Sequence, residues 1–183
     1  MKTLTLTIVA IFALPSVLLG VIDFNGNGVS EFWELQYTEA GADDVDSDSD
    51  GFSNQAEGIA GTDPHDPTSF LALEYPVLDG AEVHFSWSAE AGKIYRLERW
   101  DSVVNGWSEA ALVLPLSVAA IQTVTLDRSD GGVFRLVSAD IDRDGDGLSA
   151  WEEILIGTSD ESAAGSDGSG EGDFVTALRA LES

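Results

Sequence analysis

Apolar and polar positions follow different periods along the chain. From Leu4 to Leu14 they form a nearly continuous apolar stretch behind Lys2, closed by the helix-breaking Pro15. That layout predicts an export leader over residues 1–22. Leu18 stands where a small residue is preferred if cleavage follows Gly20, so an uncleaved membrane anchor is the alternative. In the middle of the chain the period falls to two: Val83, Phe85 and Trp87 alternate with Glu82, His84 and Ser86, as a strand with one buried face requires. Further strands are expected at 70–77, 93–100, 111–116, 122–128 and 133–138, separated by turn clusters such as Ala91-Gly92, Asn105-Gly106 and Asp130-Gly131-Gly132. Short strands at this spacing predict a small antiparallel β-sandwich over 70–138.

On either side of it, over 23–69 and 139–160, acidic segments are each followed by a short helical pattern. Asp23-Phe-Asn-Gly-Asn-Gly-Val-Ser, Asp46-Ser-Asp-Ser-Asp-Gly-Phe-Ser and Asp142-Arg-Asp-Gly-Asp-Gly-Leu-Ser are copies of one unit, each with Glu at its twelfth place. Ser30, Ser53 and Ser149 are placed to cap the helices that follow, and Glu152 completes a capping box with Ser149. Gly41, Gly61 and Gly157 are expected to end them, and Pro64 and Pro67 bar any continuation of the second. Residues 161–172, rich in Ser, Gly, Asp and Glu, predict a flexible linker within the tail 161–183. Phe174, Val175, Leu178 and Leu181 then fall on one face of a short helix, with Asp173 placed to cap it. The expected class is therefore mainly β with short helices: a sandwich flanked by loop–helix repeats.

The repeated unit carries chemistry. Calcium takes six to eight oxygens, which a twelve-residue loop delivers from places 1, 3, 5, 7, 9 and 12 around a glycine bend at place 6. All three copies satisfy Asp-x-[Asp/Asn]-x-[Asp/Asn]-Gly-x5-Glu. The first offers Asp23, Asn25, Asn27, the Val29 carbonyl, Glu31 and a bidentate Glu34. The second offers Asp46, Asp48, Asp50, the Phe52 carbonyl, Asn54 and Glu57. The third offers Asp142, Asp144, Asp146, the Leu148 carbonyl and Glu153, with Ala150 leaving the ninth place to water. About three calcium ions are expected. Magnesium suits the sites less, because it demands octahedral geometry and keeps its waters. Zinc suits them less still, with no Cys and two His in the chain.

Composition narrows the field of partners. Against 33 Asp+Glu stand 8 Lys+Arg, a formal net charge of -25 that repels nucleic acid and anionic membrane surfaces. Yet 44% of residues are hydrophobic and five are Trp, so the chain has the material for a core and is not merely an acidic disordered segment. An exported chain without Cys has no disulfides to staple it, and bound metal is the substitute. The length of 183 residues suits one ordinary domain or two small ones. Catalysis is not expected: His65 falls in a Pro-flanked turn, His84 on the polar face of a strand, and neither has an evident nucleophile partner.

Two resemblances follow from these motifs. Asp-Gly-Phe-Ser-Asn at 50–54 and Gly-Thr-Asp-Pro at 61–64 resemble the bacterial thrombospondin type 3 calcium-binding repeat, over 23–67 and 140–160; the third copy has Gly157-Thr-Ser-Asp160 instead. The resemblance implies that Asp44, Asp63 and Asp140 are secondary ligands. Val83-His-Phe-Ser-Trp through Tyr95-Arg-Leu-Glu, with Trp107 and Val133-Phe-Arg-Leu-Val, resembles fibronectin type III-like modules, with Trp87 and Tyr95 in the core. The order of parts is similar to the leading portion of larger secreted bacterial proteins of unknown function. These resemblances imply a secreted or cell-surface calcium-binding spacer or adhesion protein whose partner is an extracellular protein or a cell-surface polymer. The alternatives are a calcium-dependent docking module that binds a scaffold protein and an accessory or remnant part of a secreted hydrolase.

Overall fold

A computed structural model describes residues 21–41, 44–114, 116–128, 132–162 and 172–181. The expected leader up to residue 20 and most of the expected linker, 163–171, lie outside the described residues. The alternating stretch resolves into β1 (Val77–Asp79), β2 (Glu82–Ala89), β3 (Ile94–Asp101), β4 (Gly106–Val113), β5 (Ala120–Asp127) and β6 (Phe134–Ala139). They pair antiparallel in two three-stranded sheets, of order β1-β2-β5 and β4-β3-β6. Period-two patterning decides which side chains lie between the sheets: Val83, Phe85 and Trp87 of β2 meet Tyr95 and Leu97 of β3 and Phe134 and Leu136 of β6, all buried. The Trp87 and Tyr95 rings lie 5.9 Å apart, and those of Phe85 and Phe134 4.7 Å. On the opposite face of β2, His84 and Ser86 meet Thr125 and Thr123 of β5 at 2.8 and 3.0 Å. His84 thus occupies the polar face that the alternation predicts.

Two strands differ from the expected ones. Over 70–77 only Val77 joins a ladder, because Pro76 has no N–H to donate and interrupts pairing. The preceding residues still follow the sheet, Glu74 N donating to Ser86 O at 2.9 Å while Leu71 is buried beneath Trp87. Strand β4 begins at Gly106 rather than 111. Its register slips between Leu97 and Glu98, leaving Ala110 unopposed, and such a bulge breaks the alternation by which a strand is read.

The helices are α1 (Glu31–Gln36), α2 (Asn54–Ala60), α3 (Ala150–Ile156) and α4 (Asp173–Leu181). Ser30, Ser53 and Ser149 cap the first three, and Gly61 and Gly157 end α2 and α3 in the left-handed conformation. Helix α1 stops at Gln36, short of Gly41: Tyr37 leaves the helix and packs on the Trp33 ring at 5.0 Å. Ile22, placed by its sequence with the leader, belongs to the fold; with Phe32, Leu148 and Ala177 it forms a buried cluster joining both ends of the described chain. The docked face of α4 is Asp173, Ala177, Ala180 and Leu181; Phe174 is partly exposed with one edge against Gly147, and Val175 is exposed. Ala177 is fully buried where α4 lies against α1 and α3, so a small residue as well as Leu181 serves this contact. Among the described residues no helix is long and apolar enough to cross a membrane.

The turn between β2 and β3 seats the sandwich on the repeats. Gly92 lies at φ 77, and a Cβ there would stand 2.5 Å from Trp151 N and 2.7 Å from Ala150 C, inside the first turn of α3. Gly92→Ala is therefore expected to destabilise the protein by about 3 kcal/mol, from backbone strain plus overpacking. Urea denaturation checks this; an unchanged midpoint would show that the contact yields without cost.

Candidate metal centres

Each loop folds on itself by one set of bonds. One oxygen of the first Asp (Asp23, Asp46, Asp142) accepts from the N–H at the fourth place (Gly26, Ser49, Gly145) at 2.6, 2.7 and 2.6 Å. Its other oxygen accepts from Gly28, Gly51 and Gly147 at 2.9, 3.0 and 3.0 Å. Those glycines have φ of 87, 100 and 101, where a side chain is strained, so the sixth place requires glycine. One oxygen at the third place (Asn25, Asp48, Asp144) accepts from the N–H at the fifth, at 3.0, 3.1 and 3.2 Å. One oxygen at the fifth (Asn27, Asp50, Asp146) accepts from the N–H of Val29, Phe52 or Leu148 at 2.9, 2.8 and 2.9 Å. Finally the N–H of Glu31, Asn54 and Ala150 donates to the carbonyl just before the loop, that of Ile22, Val45 or Ile141, at 2.8, 2.7 and 2.8 Å.

These bonds leave specific oxygens over. In the second loop Oδ2 of Asp48, Oδ2 of Asp50 and both oxygens of Glu57 are buried with no hydrogen-bond donor. In the third loop the same atoms of Asp144, Asp146 and Glu153 are in the same condition. Buried polar atoms are rarely left so, and an equivalent set orphaned in two separate loops points to a missing common partner. Asp46, Asp48 and Asp50 each bring an oxygen within 4.8 Å of the others, as do Asp142, Asp144 and Asp146. Hard carboxylate oxygens at this spacing fit a divalent cation. Burial, followed by the charges of Asp48, Asp50, Asp46 and Asp63, pushes Glu57 up to about 8. Burial and Asp144, Asp146, Asp160 and Asp173 do the same to Glu153, also to about 8. Asp50, Asp144 and Asp146 are raised as well, burial again being the largest cause.

The first loop differs. Glu34 accepts from the side-chain amides of Asn25 and Asn27, both at 2.9 Å, so its two oxygens are satisfied within the chain. Glu31 accepts from Phe24 N at 2.8 Å. In the second loop Asn54 is held by backbone and side-chain bonds: its Oδ1 accepts from Ser47 N, and its amide donates to Ala40 O and Ser47 Oγ. The apolar seventh places are anchors: Val29 packs on Gly58 of α2, Phe52 stacks on Phe70 at 5.4 Å, and Leu148 lies in the cluster with Ala177. Of the secondary candidates, Asp140 is salt-bridged to Lys93 at 2.8 Å, Asp63 accepts from His65 N at 3.0 Å, and Asp44 is exposed.

Two residues that sequence reasoning did not join to the loops matter here. Glu152, fully buried, completes the capping box with Ser149 through one oxygen. Through the other it accepts from Ile22 N at 3.0 Å and Ser30 Oγ at 2.6 Å, tying the first repeat to the third. Asp173, also fully buried, brings an oxygen within 4.8 Å of oxygens of Asp146 and Glu153. No curated protein and no solved structure matches the chain. The two segments whose loops hold the orphaned oxygens, residues 46–67 and 142–158, match the family model of the bacterial TSP3 repeat.

Proposed function

We propose that the protein is a secreted, non-catalytic calcium-binding spacer or adhesion module, in which bound ions hold the loop–helix repeats against the β-sandwich. The observation that carries this reading is the matched set of orphaned oxygens on Asp48, Asp50 and Glu57 and on Asp144, Asp146 and Glu153. The carbonyls of Phe52 and Leu148 and the first Asp of each loop complete the ligand set expected of such loops. Without an ion the converging carboxylates repel one another by about 4 kcal/mol per pair at 4 Å and intermediate dielectric. The strand order β1-β2-β5 over β4-β3-β6 supports a fibronectin type III-like sandwich, whose place in this reading is to be presented rather than to react.

The two loops with orphaned oxygens fill first and the first loop last, because an ion there must displace the amide bonds from Asn25 and Asn27 to Glu34. Each such bond to a charged acceptor contributes about 1.5–3 kcal/mol. Calorimetric titration of the chain with calcium is expected to show two stronger ions and a weaker third, in or below the 10⁻⁴–10⁻³ M range typical of extracellular modules. Replacing both Asn25 and Asn27 by Asp is expected to bring the third ion into line with the other two. A chain that takes up no calcium at millimolar concentration, or whose stoichiometry is unchanged by Glu57→Gln together with Glu153→Gln, would overturn the reading.

A further inference from the structure

The third loop has a carboxylate that the second lacks, and it comes from outside the repeat. Asp173 opens α4, is fully buried, and stands within 4.8 Å of oxygens of Asp146 and of Glu153. Glu153 itself is buried with both oxygens unpartnered, so the cluster contains an acceptor aimed at a shared centre and not merely acidic neighbours. The contact is also built by packing. The Phe174 ring lies over the bend of the loop, 3.3 Å from where a Cβ on Gly147 would stand, and Ala177 packs with Leu148 from the seventh place of the same loop. Two buried carboxylates and a half-buried one at this spacing repel each other unless a cation stands between them.

We infer that Asp173 is a ligand of the ion in the third loop, so that calcium clamps helix α4 onto the repeats. The inference rests on the calcium reading above and gives that one site a regulatory consequence: α4 docks when the ion is present and loosens when it is removed. In the second loop the ion has no such outside ligand from a helix among the described residues. The third site therefore binds more tightly than the second, and its occupancy decides whether the Ile22, Phe32, Leu148 and Ala177 cluster is closed by Ala177.

The test compares the full chain with its Asp173→Asn, Phe174→Ala and Glu153→Gln variants, using calcium alone as the probe. Ion binding is read by calorimetry and the docking of α4 by hydrogen exchange at amides 175–181. In the unmodified chain calcium is expected to slow that exchange. Asp173→Asn is expected to weaken one ion by at least roughly tenfold, leave the others untouched and abolish the calcium-dependent protection. Phe174→Ala keeps the carboxylate and is expected to retain calcium-dependent protection, which separates ligation from packing. Normal affinity and protection in Asp173→Asn, with Glu153→Gln still losing one ion, would overturn the role of Asp173 while leaving the loop as a calcium site. No loss of an ion in Glu153→Gln would overturn the calcium reading of that loop and this inference together.

Discussion

The gap in melting temperature between calcium-loaded and chelated protein is expected to widen as pH rises from the ordinary carboxylate value of 4.5 to about 8, the window set by Glu57 and Glu153. In the chelated fold both groups bind protons more tightly than in the unfolded chain. Below 4.5 they are protonated in both states and cost nothing. Between the two values the native state holds protons that the unfolded state has released, so chelated stability falls with rising pH until the native groups also ionise near 8. Calcium reverses the sign for these groups, since the ion needs both carboxylates charged and competes with their protons. Burial also raises Glu90 and Glu152, which contribute a falling slope in either medium, so the difference between the two curves is the proper readout. At a hundredfold excess of calcium over its dissociation constant each filled site adds about 2.7 kcal/mol, or roughly 5–10 °C for a chain of this size. Two filled sites should therefore separate the curves by about 10–20 °C near pH 8 and by little near pH 4.5. A gap that does not depend on pH would show that these two glutamates are not where the ion competes with protons.

Lys93→Met is expected to cost about 3–5 kcal/mol and to uncouple the sandwich from the repeats. The ammonium is buried, donates to both oxygens of Asp140 at 2.8 and 3.0 Å and to Ile59 O at 3.0 Å, and lies 5.1 Å from the centre of the Trp151 ring. It thus holds together the C-terminal turn of α2, the lead into the third loop and the β2–β3 turn. Methionine fills much the same volume but leaves Asp140 charged and buried without its partner, which accounts for most of the expected loss. Against a total stability of ordinarily about 5–15 kcal/mol this is a large fraction. Urea denaturation followed by tryptophan fluorescence checks it. Substituting Asp140→Leu as well should recover part of the loss, because a pair of apolar residues replaces a pair of charges at little net cost. No recovery in the double variant would indicate that the Ile59 and Trp151 contacts dominate.

What could be read from the sequence was what lies close along it. Asp46, Asp48 and Asp50 meet within one twelve-residue loop that Glu57 ends, so their spacing alone announces them, and the same holds for Asp142, Asp144 and Asp146 in the loop that Glu153 ends. Val83, Phe85 and Trp87 declare the buried face of β2 because a strand turns over every residue. The rest depends on contacts between distant segments, which leave no period behind. Nothing near Glu152 marks its bonds to Ile22 and Ser30, more than a hundred residues earlier. Asp173 looks like an ordinary first-turn acid until α4 is docked. The calcium pattern admits Asp or Asn at the third and fifth places, and so conceals that Asn25 and Asn27 bring donors with which they satisfy Glu34. The face of α4 is legible only in part, because Leu181 docks as its apolar character suggests while the fully buried Ala177 carries no such mark and Val175 is exposed.

The bond from Ile22 to Glu152 has a mechanical consequence. Tension applied to the chain ahead of Ile22 does not peel the first loop away residue by residue; it is carried through Ile22 N and Ser30 Oγ into α3, where the carboxylate is braced by Ser149. Several hydrogen bonds thus converge on one carboxylate and are expected to share the load. A tether built in this way would resist steady pulling until it gives way as a unit.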